Sequence, residues 1–439
     1  MNDFVISNRA KTILFVMMGI GILSMALTWM ADDSLHTRFW SNYLHNSVFF
    51  TGIGFMAAFF IAICVTAYAG WHTTFKRVFE GIATFMVPGI FLMVFMALSV
   101  FMHWNHIYHW ADTSLIDPTN EHFDPILAGK AGFLNKYWYL FGTVIIVGIW
   151  IFFANKMRTL SRKEDEAGAG ENYAVHRNIR KYAAVFLPIA GFSSAAVIWQ
   201  WVMSIDAHWY STMFAWYASA SWFVSMIAMT IMLLLYMKSK GYYDVVTPDH
   251  IHDLGKFLFA FSIFWTYLWF SQYMLIWYAN IGEETGYFKL RADEYPVLFY
   301  GNLLINFILP FFVLLRNDTK RKFGSVGIVA GLVFIGHWWD YFLMIKPGVL
   351  HTAHEALGGH GHADQAHEAV PHGIEAAAHT VEHASSFVAG FTLPGFLEIG
   401  TFIGFLGFFL FWVLRAMTKS ALVPKNDPYL EESLHHHVV

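Results

Sequence analysis

Long apolar stretches recur along this chain, and ten of them reach the roughly 20 residues that an α-helix needs to cross the hydrocarbon core of a bilayer. They lie at 12–30, 47–70, 77–102, 137–154, 182–204, 213–237, 257–279, 297–315, 326–345 and 387–414, and predict an all-α polytopic membrane protein of about ten transmembrane helices. Pro88, Pro188, Pro310 and Pro394 fall inside four stretches, where each removes a backbone donor and is expected to kink its helix. Gly327 with Gly331, and Gly400 with Gly404, allow close approach of neighbouring helices. Nothing between the stretches is long enough for a globular domain, so 1–439 reads as one membrane domain. The segment 158–181 reads as a charged connector, whereas the loops 105–136 and 346–386 are long enough to cover a partner or cap a cavity.

Composition agrees: 57% of residues are hydrophobic and 13% charged, about half the charged share of a typical soluble domain. Basic residues set the orientation, because Lys and Arg are retained on the cytoplasmic side. With the N-terminus inside, inner segments hold 21 of the 27 Lys and Arg, and outer loops hold only Arg38, Lys130, Lys136, Lys289, Arg291 and Lys346. Both termini are therefore expected in the cytoplasm. The first stretch runs into Trp29-Met30-Ala31-Asp32 without a small-residue cleavage pattern and reads as a retained helix. The single cysteine, Cys64, excludes disulfides, iron–sulfur clusters and covalent haem attachment within this chain, and is expected to pack as a small apolar residue.

An ionisable side chain at the centre of a membrane helix costs about 2.5–3.5 kcal/mol on insertion scales, so each one calls for an explanation. His337, Asp340 and Tyr341 share one face of the ninth stretch at i, i+3, i+4, placing a base, an acid and a phenol within one turn. Such a group can bind a quinol hydroxyl and accept its proton, or can hold helices together. Glu398 is expected near the middle of the tenth stretch as the deepest carboxylate, with Thr401 one turn on and Glu80 at the inner mouth of the third. Asn302, Asn306, Tyr267, Gln272 and Gln200 can hold water along a proton path, or bond between helices. Asp206 and His208, after the fifth stretch, and the histidines of His103-Trp104-Asn105-His106-Ile107-Tyr108-His109-Trp110 are not explained by an interfacial aromatic belt.

The last outer loop carries eight histidines between His351 and His383 in an Ala-, Gly- and Glu-rich background. His379 and His383 match a zinc-peptidase spacing, but a tract of this composition produces such matches by chance, and no resident metal is expected. His337 is the only histidine placed well inside a stretch, and a membrane b-type haem needs a facing pair, so electrons are expected to pass through other subunits or a bound quinone.

Three segments carry a resemblance: Trp201-Val-Met-Ser-Ile-Asp206-Ala-His208-Trp-Tyr-Ser-Thr-Met-Phe, Tyr273-Met-Leu-Ile-Trp277-Tyr-Ala-Asn280-Ile-Gly-Glu283-Glu284-Thr-Gly-Tyr, and Leu397-Glu398-Ile-Gly400. They resemble the F-type membrane subunit of bacterial alternative complex III, a quinol:cytochrome c (or quinol:oxidase) oxidoreductase, itself a distant polysulfide-reductase-type membrane subunit. The resemblance extends over nearly the whole chain, including Asn46 and Tyr108-His109-Trp110, and departs from the family at Gly282, where proline is expected, and in the histidine tract. It implies two four-helix bundles, 47–204 and 213–345, with peripheral helices 12–30 and 387–414, in the bacterial inner membrane. It implies as partners a related C-type membrane subunit, an iron–sulfur protein and c-type cytochromes, with a terminal oxidase as a further candidate and no nucleic acid. Quinone (menaquinone or ubiquinone) and structural lipid are the candidate ligands, none of them covalent, and the C-type paralogue is the better candidate for the productive quinol site. This chain is then a non-haem subunit, not catalytic alone, that supports assembly and proton translocation. The rival classes are a proton-coupled secondary transporter using Glu398 and Asp340, and a purely structural anchor.

Overall fold

The computed structural model describes residues 4–167, 173–357 and 390–438, which are helical and contain no strand. Among the described residues ten helices are long and apolar enough to cross a membrane: α1 (Asn8–Ala31), α2 (Thr37–Thr66), α3 (Thr73–Phe101), α4 (Lys136–Glu166), α5 (Ala174–Ile205), α6 (Thr212–Ser239), α7 (Pro248–Ala279), α8 (Pro296–Leu314), α9 (Phe323–Thr352) and α10 (Phe396–Met417). The chain is an all-α polytopic membrane protein. Helices α2 to α5 pack in sequence and close into a ring, α6 to α9 close into a second, and α1 and α10 pair with each other outside them against α2 and α3. The rings meet where α2 and α5 lie on α6 and where α2 lies on α9, which leaves α2, α6 and α9 the most buried helices.

Small residues set the closest contacts. A Cβ on Gly404 would stand 2.3 Å from Cα of Gly21, and one on Gly400 would stand 2.0 Å from Oγ of Ser24, so this glycine pair brings α10 onto α1. Gly52 on α2 receives the Trp222 indole of α6, where a Cβ would fall 1.9 Å from the ring. The second pair is looser: Gly327 faces Leu235, while a Cβ on Gly331 would meet only Met232 Sδ at 3.9 Å.

The prolines act as donors removed from the backbone, and side chains from elsewhere fill two of the vacancies. Pro88 cannot bond the Thr84 carbonyl, α3 breaks into two helical pieces there, and Trp412 Nε1 of α10 donates to that oxygen at 3.0 Å. Pro347, inside the α9 helix, frees the Leu343 carbonyl, which receives Arg291 Nε at 3.1 Å. Pro188 lies within α5, and Pro310 follows a π-helical turn, Leu304–Ile308, in α8.

Three expected boundaries are corrected. Leu393-Pro394-Gly395 interrupts the helix, so α10 begins at Phe396, Pro394 lies before it, and Glu398 is in its first turn rather than mid-membrane. Helix α2 starts at Thr37, not 47, because Asp33 accepts from the Thr37 amide and hydroxyl. Helix α9 continues beyond 345, so Lys346 is a buried residue of a span and not part of a loop.

Candidate functional site

Asp340 occupies the centre of the second ring and is wholly buried. Each of the other three helices of that ring supplies it a donor. Tyr217 of α6 donates its hydroxyl to Oδ1, Asn302 of α8 donates Nδ2 to Oδ1 at 2.7 Å, and Trp265 of α7 donates Nε1 to Oδ2 at 2.9 Å. Asn306 Nδ2 in turn donates to Asn302 Oδ1 at 2.6 Å. The π-turn that begins just after Asn302 and the missing Cβ of Gly336, which would otherwise stand 2.2 Å from Asn306 Oδ1, bring α8 against α9 at this point. A buried carboxylate is tolerated only where hydrogen bonds replace water, and here both oxygens have them.

His337 is also fully buried; Nδ1 lies 2.9 Å from Ser221 Oγ and 3.9 Å from Asp340 Oδ2, and Nε2 has no hydrogen-bond partner. Tyr341 also turns to α6, donating its hydroxyl to the Ala218 carbonyl at 2.9 Å. Trp265, Tyr217 and Asn302 occupy the space beside the Asp340 carboxylate. The adjoining cavity, lined by Tyr217, Gln272, Tyr287 and Arg291, measures about 10 Å³, room for on the order of one water molecule. Gln272 lines it with an unbonded Oε1. The cavity reaches Arg291, which donates Nη2 to Asp206 at 3.0 Å and lies 3.4 Å over the Tyr287 ring. The polar groups thus run from Asp340 through Tyr217 and the cavity to the half-buried Asp206, on the face opposite the chain termini.

A second buried group joins α2, α9 and α10 on that same face. Arg38 grips Glu398 with both arms, Nε to Oε1 at 2.7 Å and Nη2 to Oε2 at 2.9 Å, while Asn42 Nδ2 and the Gly395 amide each donate to the carboxylate at 3.0 Å. Lys346 donates to Ser41 Oγ and Asn42 Oδ1, both at 2.6 Å, with its ammonium 4.7 Å from the Phe391 ring. Glu398 is therefore an ion-paired residue at a helix start. Thr401 does not extend a polar path from it, because its hydroxyl bonds the Leu397 carbonyl of its own helix.

Other expected members lie apart. Glu80 pairs with Arg77 at the opposite end of the first ring from Glu398. Tyr267 is 61% exposed on the outside of α7 and does not join the Asp340 group. Gln200 is buried near the end of α5 with Nε2 unbonded. His208 hydrogen-bonds Asp124 on a surface loop; burial pushes the Asp124 carboxyl up, but this bond and backbone amides outweigh it and hold it below the usual range. His379 and His383, and the histidine tract after His351, lie outside the described residues.

Sequence reasoning missed Tyr217, Trp265, Arg38, Lys346 and His45. The last corrects the placement of His337 as the sole deep histidine: His45 lies in α2, buried, with Nε2 at 2.9 Å from the Trp338 carbonyl. That nitrogen must carry a hydrogen to bond a carbonyl, so it is not presented to iron. No family model matches the chain, and no curated protein matches it.

Proposed function

We propose that this chain is the non-haem membrane subunit of a bacterial respiratory quinol:cytochrome c (or quinol:oxidase) oxidoreductase, and that its second helix ring moves protons. It sits in the cytoplasmic membrane with both termini inside, and electrons pass through a C-type membrane subunit, an iron–sulfur protein and c-type cytochromes. The observation that carries the proton role is Asp340: a buried carboxylate at the centre of a four-helix ring, with one hydrogen-bond donor from each neighbouring helix. It lies 3.9 Å from Nδ1 of His337 and, through Tyr217, reaches a water-sized cavity that leads to Asp206. A proton held at Asp340 passes by way of Tyr217 and a cavity water toward the outer face. The filled space around Asp340 supports placing quinol oxidation on a partner subunit and assigning assembly and proton movement to this one.

The test is Asp340→Asn in the assembled complex, with quinol oxidation and proton release measured separately. The amide keeps the shape but holds no transferable proton. Oxidation should continue under uncoupled conditions while proton release per electron falls. Unchanged proton release from the assembled variant would reduce the ring to a scaffold, and purification of the chain without any haem-bearing partner would favour a transporter.

A further inference from the structure

The face that carries the termini holds a cluster the proton path does not use. Glu164 lies at the end of α4, His176 in the first turn of α5, and Asp427 in the segment after α10; they are 3%, 5% and 8% exposed. One ligand atom from each lies within 4.8 Å of the others. His176 Nδ1 is 3.1 Å from Glu164 Oε1, while Glu164 Oε2 and His176 Nε2 have no hydrogen-bond partner. His176 also lines a cavity of about 20 Å³ beside Lys76 and Glu80.

The charges around it do not balance. Arg77 answers Glu80 and Asp165, and Lys76 hydrogen-bonds Asp427, but Lys76 Nζ stands 3.9 Å from the bare Glu164 oxygen. Arg158 turns away to bond the Ala416 carbonyl. The pocket thus sets two carboxylates and an imidazole around one ammonium.

We propose that Glu164, His176 and Asp427 bind a divalent transition-metal cation of the manganese and zinc class, with the Lys76 ammonium as its built-in competitor. Two carboxylates and one imidazole are a usual donor set for these ions, and metal–ligand distances of about 2.0–2.2 Å require the ligand atoms to close only slightly. The ion would tie the segment after α10 to the ends of α4 and α5, since the ligands come from all three.

The probe is Mn²⁺, which imidazole-rich tracts such as 351–383 hold weakly compared with zinc. Purified complex, treated with chelator, is titrated with Mn²⁺ and free ion is followed by electron paramagnetic resonance. Wild type should take up one Mn²⁺ that slows proteolysis of the C-terminal segment. Glu164→Gln and His176→Ala should each weaken uptake about tenfold or more, and Lys76→Met, which removes the competitor, should tighten it. If Glu164→Gln or His176→Ala fails to assemble, Lys76→Met alone decides, because unchanged affinity in that variant contradicts the competition. Equal uptake by wild type and the ligand variants, or no uptake by wild type, would overturn the proposal; the latter would leave a shared proton as the balancing charge.

Discussion

Glu398→Gln is expected to destabilise the protein by about 3–5 kcal/mol, the usual cost of removing one partner from a buried ion pair. The carboxylate is 1% exposed and its acceptor positions are taken by Arg38, Asn42 and the Gly395 amide. A glutamine turns an NH₂ group toward one arm of the Arg38 fork, and it removes the carboxylate that accepts from both of its arms. The α1–α10 pair should loosen first, because Glu398 is in the opening turn of α10. Reversible unfolding in mixed micelles, in a double-mutant cycle with Arg38→Met, measures the coupling. The single variants should each be strongly destabilised and the double variant much less so, since it removes the Arg38 charge together with its partner. A loss below about 1 kcal/mol for Glu398→Gln, with near-zero coupling, would refute the ion-pair reading. If such a fully stable variant also lost proton release, Glu398 would return as a proton carrier.

Trp265→Phe removes one of the donors to Asp340 and should cost about 1–3 kcal/mol, read by the same unfolding assay. Gly404→Val puts a side chain where Cα of Gly21 stands 2.3 Å from the new Cβ, and should separate α1 from α10 at a cost of about 1–3 kcal/mol. Cross-linking between engineered cysteines on the two helices, in a chain whose only native thiol is the buried Cys64, should fall in that variant. His72, between α2 and α3, is held down by burial to about 4 from 6.5. The unfolded chain binds the extra proton between those values, so stability falls as pH drops from 6.5 to 4, by up to about 3 kcal/mol, and His72→Gln should flatten that slope.

The spans were legible because a membrane crossing is a matter of length and hydropathy, and both are local. The shared face of His337, Asp340 and Tyr341 was legible for the same reason: it follows from the spacing on one helix. What closes around that face was not. Tyr217 and Trp265 read as two of many aromatic residues in membrane helices, and only the packing of α6 and α7 against α9 turns their donors onto Asp340. A weak signal existed in Gly336, directly before His337, which marks where α8 must come close.

Helix ends were the least legible feature, and the errors there share one cause. Hydropathy places a boundary at the first charge, so Arg38 and Lys346 were assigned to loops, yet both lie in helices because Glu398, Asn42 and Ser41 give them partners that water would otherwise supply. The same correction moved Glu398 from mid-membrane to a helix start, since its depth had been counted from an apolar run that Pro394 and Gly395 in fact interrupt. Arg291 belongs with them, buried against Asp206 and the carbonyl that Pro347 frees. Three of the six basic residues counted on the face opposite the termini are thus buried in partner-specific contacts, leaving Lys130, Lys136 and Lys289 as its accessible cations. The basic asymmetry that motivates a cytoplasmic location for the termini is therefore steeper at the surface than in the sequence. Converting Lys130, Lys136 and Lys289 to glutamine should leave the topology unchanged, as read by labelling of single cysteines in the loops from each side of sealed vesicles. An inverted chain would show that these accessible outer cations, contrary to retention of basic residues on the cytoplasmic side, had been holding the orientation.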